Sequence, residues 1–455
     1  MAEASATETG KFLTGSLMRH VFVMSLAGAA GLSFTFLIDF LALWWISQRR
    51  IEAEMAAVGI AGTIQFAIIS LAVGLMIATA AMVGRAIGEG AAARARRIAT
   101  VGMLFTFAFM LGLSSLFWLF RAEVLAASGA TGEALRLGIA YLGITLPSMV
   151  LVAVGILSSA LLRTVGDAWR SMLVTMLPGF LSVILDPVLI VWMDWGIEGA
   201  AWSINMARVL MVSVGLVYVL RTHRLLARPR MADFSFFARP FAAIALPAIA
   251  TQLSTPFGNW ILTREVAAFG ESAVAGWGVV MRLTILAFGG IFALSGAVGG
   301  IIAQNFGGRR LDRVEEAFWA ALKFCLLYTL VAWALMALAS GYIVRSFGLS
   351  GDGQMVVLSF THWAAGAFIF TGAIFVSNAC FNNLGRPLLS TATNWLRDGV
   401  LMLPLSIAMT GLFAETGVVW ANGLANIIVG LLAGWLCLRY IRQLRQRAAH
   451  PGPSA

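Results

Sequence analysis

Charge is scarce in this sequence. Only 11% of its 455 residues are Asp, Glu, Lys or Arg, against roughly a quarter in soluble globular chains, and this excludes a water-facing surface over most of the molecule. Cysteine is nearly absent: Cys325, Cys380 and Cys437 lie in apolar stretches without CxxC or Cys/His spacing, which excludes a disulfide framework and a metal centre. The histidines, His20, His223, His362 and His450, are scattered with no acid at catalytic spacing. A membrane-embedded acyl- or glycosyltransferase would lack its catalytic set. No GxxxxGK[ST] loop or other nucleotide fingerprint appears, so any work done by the chain draws on an ion gradient or on the substrate. No cleavable signal peptide is expected, because residues 1–16 are polar and the first apolar stretch is too long for a signal core.

What fills the sequence is hydrophobic: 60% of residues, with a mean hydropathy of +0.89. Apolar stretches of spanning length fall near 17–43, 55–82, 98–119, 137–161, 171–193 and 199–220, and again near 241–262, 274–303, 317–340, 355–380, 388–411 and 416–438. The expected fold is therefore an all-α polytopic membrane protein with twelve transmembrane helices in two six-helix lobes. The expected organisation is an N-terminal tail (1–16), an N-lobe (17–220), a linker (221–240), a C-lobe (241–440) and a C-terminal tail (441–455).

The net charge of +10 would point to nucleic acid in a soluble protein. Here the basic residues sit in short loops and read as topology signals, so no nucleic-acid partner is expected. With the N-terminus placed inside, twenty-one Lys and Arg residues fall on that side against six on the other. Both termini and the central linker are expected in the cytoplasm.

The chain also reads nearly twice over. Gly84-Arg85-Ala86-Ile87-Gly88-Glu89-Gly90 returns 219 residues later as Ala303-Gln304-Asn305-Phe306-Gly307-Gly308-Arg309. The same offset carries Leu162–Asp167 onto Phe381–Arg386, and an offset of 218 carries Gly199-Ala200-Ala201-Trp202 onto Gly417-Val418-Val419-Trp420. Six helices per copy put both copies in the same orientation, related by a pseudo-twofold axis along the membrane normal, as in many secondary transporters.

A carboxylate at membrane depth costs at least about 2.5 kcal/mol and is kept mainly for use. Asp39 in helix 1 and Asp186 in helix 5 have no basic neighbour in their own helices, which suits a group that takes up and gives back a proton. Pro187 directly follows Asp186 and is a candidate hinge, since a proline inside a helix removes a hydrogen bond and bends the chain. Asp398 sits beside Arg397 in helix 11, where a structural ion pair and a transport role both fit. Candidate cavity residues are Thr35, Gln65, Ser203, Asn205, Asn259, Arg282, His362 and Asn378, each of which also suits an interhelical hydrogen bond. Among fifteen Trp, thirty Phe and twenty Met, a subset lining a cavity would suit flat organic cations through cation–π contact and an adaptable wall.

These segments resemble the multidrug and toxic compound extrusion (MATE) family over about residues 15–440. The resemblance rests on the Asp39 region followed by Ala56-Ala57-Val58-Gly59, on Gly84–Gly88, Arg163–Asp167, Leu185-Asp186-Pro187, Gly196–Ala201, Ala273–Gly276 and Gln304–Gly308. It implies an exporter that exchanges organic, often cationic compounds for H⁺ or Na⁺ by alternating access, without a cofactor, as a monomer in the inner membrane. Asp39 and Asp186 match the helix 1 and helix 5 acids of the DinF-like branch. The NorM-like branch has acids in helices 7 and 10, where this chain has Asn259 and Thr371, with Glu265 beyond the end of helix 7. Ser182 stands where the family often has Asn, four residues before the helix 5 acid. Ile204, with Ser203 adjacent, stands where helix 6 commonly has Thr. The implied coupling set is Asp39, Asp186 and Ser182. An alternative in the same superfamily, a flippase for lipid-linked saccharides, would need a strongly cationic cavity, and few Arg residues, Arg208, Arg282 and Arg397, lie within spans.

Overall fold

The computed structural model describes residues 10–47 and 51–449; within them, the side chains of residues 36, 39, 40, 43, 47 and 52 lie outside the described set. Every described element is helical. In the first half these are α1 (Leu17–Ser47), α2 (Glu52–Gly88), α3 (Ala92–Leu119), α4 (Arg121–Ala127), α5 (Gly132–Thr145), α6 (Met149–Thr164), α7 (Ala168–Asp186) and α8 (Gly196–Val217). The second half holds α9 (Met231–Ala267), α10 (Glu271–Ala287), α11 (Gly289–Gly307), α12 (Leu311–Ser346), α13 (Gly351–His362), α14 (Phe368–Asn383), α15 (Pro387–Trp395), α16 (Met402–Phe413) and α17 (Gly417–Ala449).

Ten stretches are long and apolar enough to cross a membrane, and the pair α5 and α6, bent by 52°, makes an eleventh. One of the ten, Pro387–Ala449, changes direction between Phe413 and Gly417, where Ala414 takes φ 49°. Counting that stretch as two gives the twelve spans read from the sequence. The chain is a multi-pass membrane protein.

The duplication is written into the turns as well as the sequence. At the 219-residue offset, positive φ recurs at Gly90 and Arg309 (72° and 56°), Gly129 and Gly348 (93° and 61°), Gly132 and Gly351 (55° and 56°), and Gly166 and Gly385 (87° and 86°). At the 218-residue offset it recurs at Gly196 and Ala414 (53° and 49°). A left-handed backbone disfavours any side chain with a Cβ. Arg309 and Ala414 therefore hold, without glycine, the turns that Gly90 and Gly196 form in the first copy.

Several spans are not single rods. The fourth breaks at Thr145-Leu146-Pro147-Ser148, because Pro147 has no N–H to continue the ladder. The eighth breaks at Phe288 between α10 and α11, and the tenth at Trp363 before a short 3₁₀ turn, Ala364–Ala367. Three spans contain π-helical turns: Pro187–Trp192, Tyr218–Thr222 and Leu396–Leu401.

The chain forms two compact units. One holds Ala30–Val83 and Ala91–Ala245; the other holds the stretch ending at Ala29, the loop Gly84–Gly90 and the chain from Leu246 onward. In the second unit the 3₁₀ turn Lys11–Leu13 is fastened by side chains of α11 and the start of α12. Phe12 N–H donates to Gln304 Oε1 (3.0 Å), Asn305 Nδ2 and Arg313 Nη2 donate to Phe12 O (3.2 Å each), and Arg310 Nη1 donates to Leu13 O (2.9 Å). In the first unit the chain after α8 is held down too: Ala227 N–H donates to Thr100 Oγ1 (2.9 Å) and Arg97 pairs with Asp233 (3.1 Å) at the start of α9. Residues 231–240 form the first turns of α9.

Candidate functional site

Asp186 is the last residue of α7, and its carboxyl is only 3% exposed. Ser203 of α8, fully buried, donates its hydroxyl to Oδ1 of Asp186. Oδ2 is buried, with no hydrogen-bond partner among the described residues. The helix changes pitch immediately afterwards. Pro187 opens a π turn in which Met193 N–H reaches back five residues to Val188 O (2.8 Å), and π turns inside helices are often found at functional positions. Gly199 of α8 lets that turn approach: a Cβ there would stand 2.6 Å from Leu189 O.

Ser182, one turn before Asp186, is buried but makes no hydrogen bond among the described residues. The partner of Asp186 is thus Ser203, read from the sequence as a cavity residue. Asp39 lies in α1, and its side chain falls outside the described residues. Its helix does lie along α7: Gly31 faces Thr175, Phe34 packs on Phe180 with ring centroids 4.5 Å apart, and Phe34 and Ile38 cover Gly179.

A second polar cluster in the same unit surrounds the break of the fourth span. Arg208 of α8, 6% exposed, donates Nη1 to Thr145 O (2.8 Å) and Ser148 Oγ (2.7 Å), and Nη2 to Gln65 Oε1 (2.6 Å). Gln65 Nε2 donates to Thr145 Oγ1 (3.2 Å), Ser148 Oγ donates to Asn205 Oδ1 (2.6 Å), and Asn205 Nδ2 donates to Ile144 O (2.8 Å). Trp118 Nε1 completes the set on Gly143 O (3.1 Å). Three consecutive carbonyls around the proline break are therefore satisfied by side chains, as a break in hydrocarbon requires. Gln65 and Asn205 belong to this network; Arg208, Thr145 and Ser148 were not among the candidate site residues. The signal that points to them is Pro147 in the middle of an apolar span together with a lone arginine in another.

On the loop side of α7, Asp167 caps the helix by accepting from Arg170 N–H (3.0 Å) and binds Arg170 Nη1 (2.9 Å) and His223 Nε2 (2.8 Å). Burial alone would raise the Asp167 pKa, but the His223 hydrogen bond and the bonds from Arg170 outweigh it and hold the carboxyl well below the usual range.

In the second unit Arg397 and Asp398 form a bidentate pair, Nε to Oδ1 at 2.7 Å and Nη2 to Oδ2 at 2.8 Å. Adjacent residues on an α-helix point about 100° apart; these two lie in the π turn Leu396–Leu401, where more residues share each turn and that angle is smaller. Ser254 Oγ donates to Asp398 Oδ2 (2.9 Å), and Gly258 leaves room for the carboxyl, since a Cβ there would stand 2.9 Å from Oδ1. Asn394 Nδ2 donates to Asn378 Oδ1 (2.9 Å). Thr371 Oγ1 is buried without a partner among the described residues. Asn259 is half-buried without a hydrogen bond among the described residues, and Arg282 is exposed without an ion pair among them. His362 is exposed, with Nδ1 3.0 Å from Leu358 O, and Thr35 is exposed and bonded to Gly31 O (2.9 Å). Among the described residues no group of three or more His, Cys, Asp and Glu stands together to hold a metal ion.

The MatE family model matches residues 29–188 and 247–408. The chain is 27% identical over 448 residues to the FAD transporter of Shewanella oneidensis (strain ATCC 700550 / JCM 31522 / CIP 106686 / LMG 19005 / NCIMB 14063 / MR-1), covering 96% of this chain and 98% of that one. It is 23% identical over 438 residues to the probable multidrug resistance protein YpnP of Bacillus subtilis (strain 168), covering 95% and 97%. Its fold matches a solved multidrug resistance MATE family transporter of the MOP superfamily in an outward-facing conformation, with a TM-score of 0.90 at 22% identity, over 97% of this chain and 99% of that one. With the family's match covering both halves of a duplicated, all-helical, twelve-span chain, the protein belongs to the MATE family and is a membrane transporter, not an enzyme.

Proposed function

We propose that the protein exports small organic, often cationic compounds from a bacterial or archaeal cell in exchange for H⁺, with both termini cytoplasmic. The observation that carries this reading is the Asp186 carboxyl: buried, bonded on one oxygen to Ser203 and without a partner on the other among the described residues. Protonation removes a costly intramembrane charge. It also converts the carboxyl from an acceptor into a group able to donate. Asp39 serves as the second proton carrier, and Pro187 lets the end of α7 respond to the change. Multidrug names among the relatives support the substrate class.

The test is transport in proteoliposomes with an imposed pH gradient or an imposed Na⁺ gradient, using a fluorescent organic cation. The reading expects the pH gradient to drive accumulation without Na⁺. Accumulation driven by Na⁺ alone would change the coupling ion. If two protons enter per monovalent cation exported, one net charge moves, worth roughly 2.3 kcal/mol per 100 mV. A voltage clamped with valinomycin then alters the rate, whereas one-for-one exchange is insensitive to it.

A second reading is favoured by Arg282 of α10, an exposed cation without an ion pair among the described residues, together with the FAD transporter among the relatives. On this reading the cargo is an organic anion of the flavin dinucleotide kind. Competition decides between them: FAD inhibiting efflux of the organic cation in wild type but not in Arg282→Gln supports the anion.

A further inference from the structure

We propose that the groove at the C-terminal end of α17 binds the phosphate of an anionic phospholipid in the surrounding leaflet. The groove has a volume of about 370 Å³ and is lined by Trp435, Leu438, Arg439, Arg442, Gln443 and Gln446. These residues recur at steps of three and four, so they form one stripe on one helix face. The stripe continues towards the middle of α17 through Leu431 and Ile428, both exposed side chains in the second unit. An apolar track therefore leads straight into a basic and amide-lined recess, the layout of an acyl chain joined to a phosphate.

The charge balance in the recess leaves a surplus for that phosphate. Glu315 of α12 accepts from Arg442 Nε (3.3 Å) and also from Arg445, so one carboxylate is shared by two guanidinium groups. Arg439 has no carboxylate partner among the described residues; its guanidinium lies over the Trp435 ring, 5.3 Å from the centroid. Trp at the membrane interface and Arg one turn further out suit the headgroup level. A topology signal alone would need neither the recess nor the apolar track running into it. Free inorganic phosphate would use the same guanidinium groups but not Leu431 and Ile428.

The experiment uses the purified full-length protein in neutral detergent and follows its Tm on titration with dioleoylphosphatidylglycerol, dioleoylphosphatidylcholine or inorganic phosphate. Each guanidinium near an anionic headgroup contributes roughly five-fold in affinity. The double variant Arg439→Gln/Arg442→Gln should therefore bind the phosphatidylglycerol about twenty-five-fold more weakly. The single variant Arg439→Gln, which breaks no ion pair, should lose about five-fold while keeping the unliganded Tm. Phosphatidylcholine should leave the Tm of either protein unchanged. Equal affinity in wild type and Arg439→Gln would overturn the proposal. An equal loss in Arg228→Gln/Arg230→Gln would reduce it to diffuse attraction, and a Tm rise with inorganic phosphate alone would replace the lipid with a free anion.

Discussion

The Ser203 hydroxyl on α8 donates to Oδ1 of Asp186 at the end of α7, joining two membrane helices at the point where one of them turns π-helical. If this bond holds the carboxyl in register for proton exchange, Ser203→Ala should slow substrate-driven proton exchange without abolishing it. A hydrogen bond to a charged group is worth about 1.5–3 kcal/mol, so a ten-fold or greater loss of rate is expected in proteoliposomes, with normal expression. A rate equal to wild type would show that the bond does not serve the exchange.

Arg208 closes the break in the fourth span by holding Thr145 O, Ser148 Oγ and Gln65 Oε1. Arg208→Met leaves those acceptors in hydrocarbon and should lower stability by about 2–4 kcal/mol, read as a fall in the detergent Tm. Arg208→Lys, a single point donor, should recover only part of it.

Arg397 and Asp398 are each other's neutralising partner deep in the second unit. Asp398→Asn or Arg397→Gln alone should cost about 3–5 kcal/mol, because each leaves a buried charge uncompensated. The double variant Arg397→Met/Asp398→Leu should restore most of the Tm. If it also retains transport, the pair is structural; loss of transport at restored Tm places it in the coupling machinery.

Asp167 carries a folded-state pKa well below its unfolded value, set against burial by His223 and Arg170. Its contribution to stability is therefore complete above the unfolded pKa of about 3.9 and fades as pH falls below that value towards the folded one. Asp167→Asn keeps the helix cap, since the amide oxygen can still accept from Arg170 N–H, but it removes the charge that binds Arg170 and His223 and should lower the Tm at neutral pH. The gap between wild type and variant should narrow as the pH is taken below about 4. A gap that stays constant down to acid pH would remove the ionic role of Asp167.

Much of this architecture was legible because hydrocarbon is a demanding solvent. Few charges survive in it, so Asp186 stood out by its presence alone, and the duplicated loops at Gly84–Gly90 and Ala303–Arg309 announced the repeat that the backbone φ values reproduce. What sequence reading missed depends on which helix faces which. Ser182 precedes Asp186 by one turn and is placed by the resemblance in the coupling set, yet the bond to Asp186 comes from Ser203, seventeen residues further along on the next helix. Arg208 looked like a stray cation until the Pro147 break supplied the carbonyls it binds. The fourth span was read as one rod from 137 to 161, since its hydropathy is continuous while its hydrogen-bond ladder is not.

The central claim is that Asp186 gives up a proton when substrate binds. The most direct measurement is proton release from purified protein in weakly buffered detergent on addition of an organic cation, for wild type and Asp186→Asn. Substrate-driven release is expected in wild type and a markedly smaller release in the variant, with the variant still folded by its Tm. Release of the same size from both proteins would contradict it and move the coupling site elsewhere.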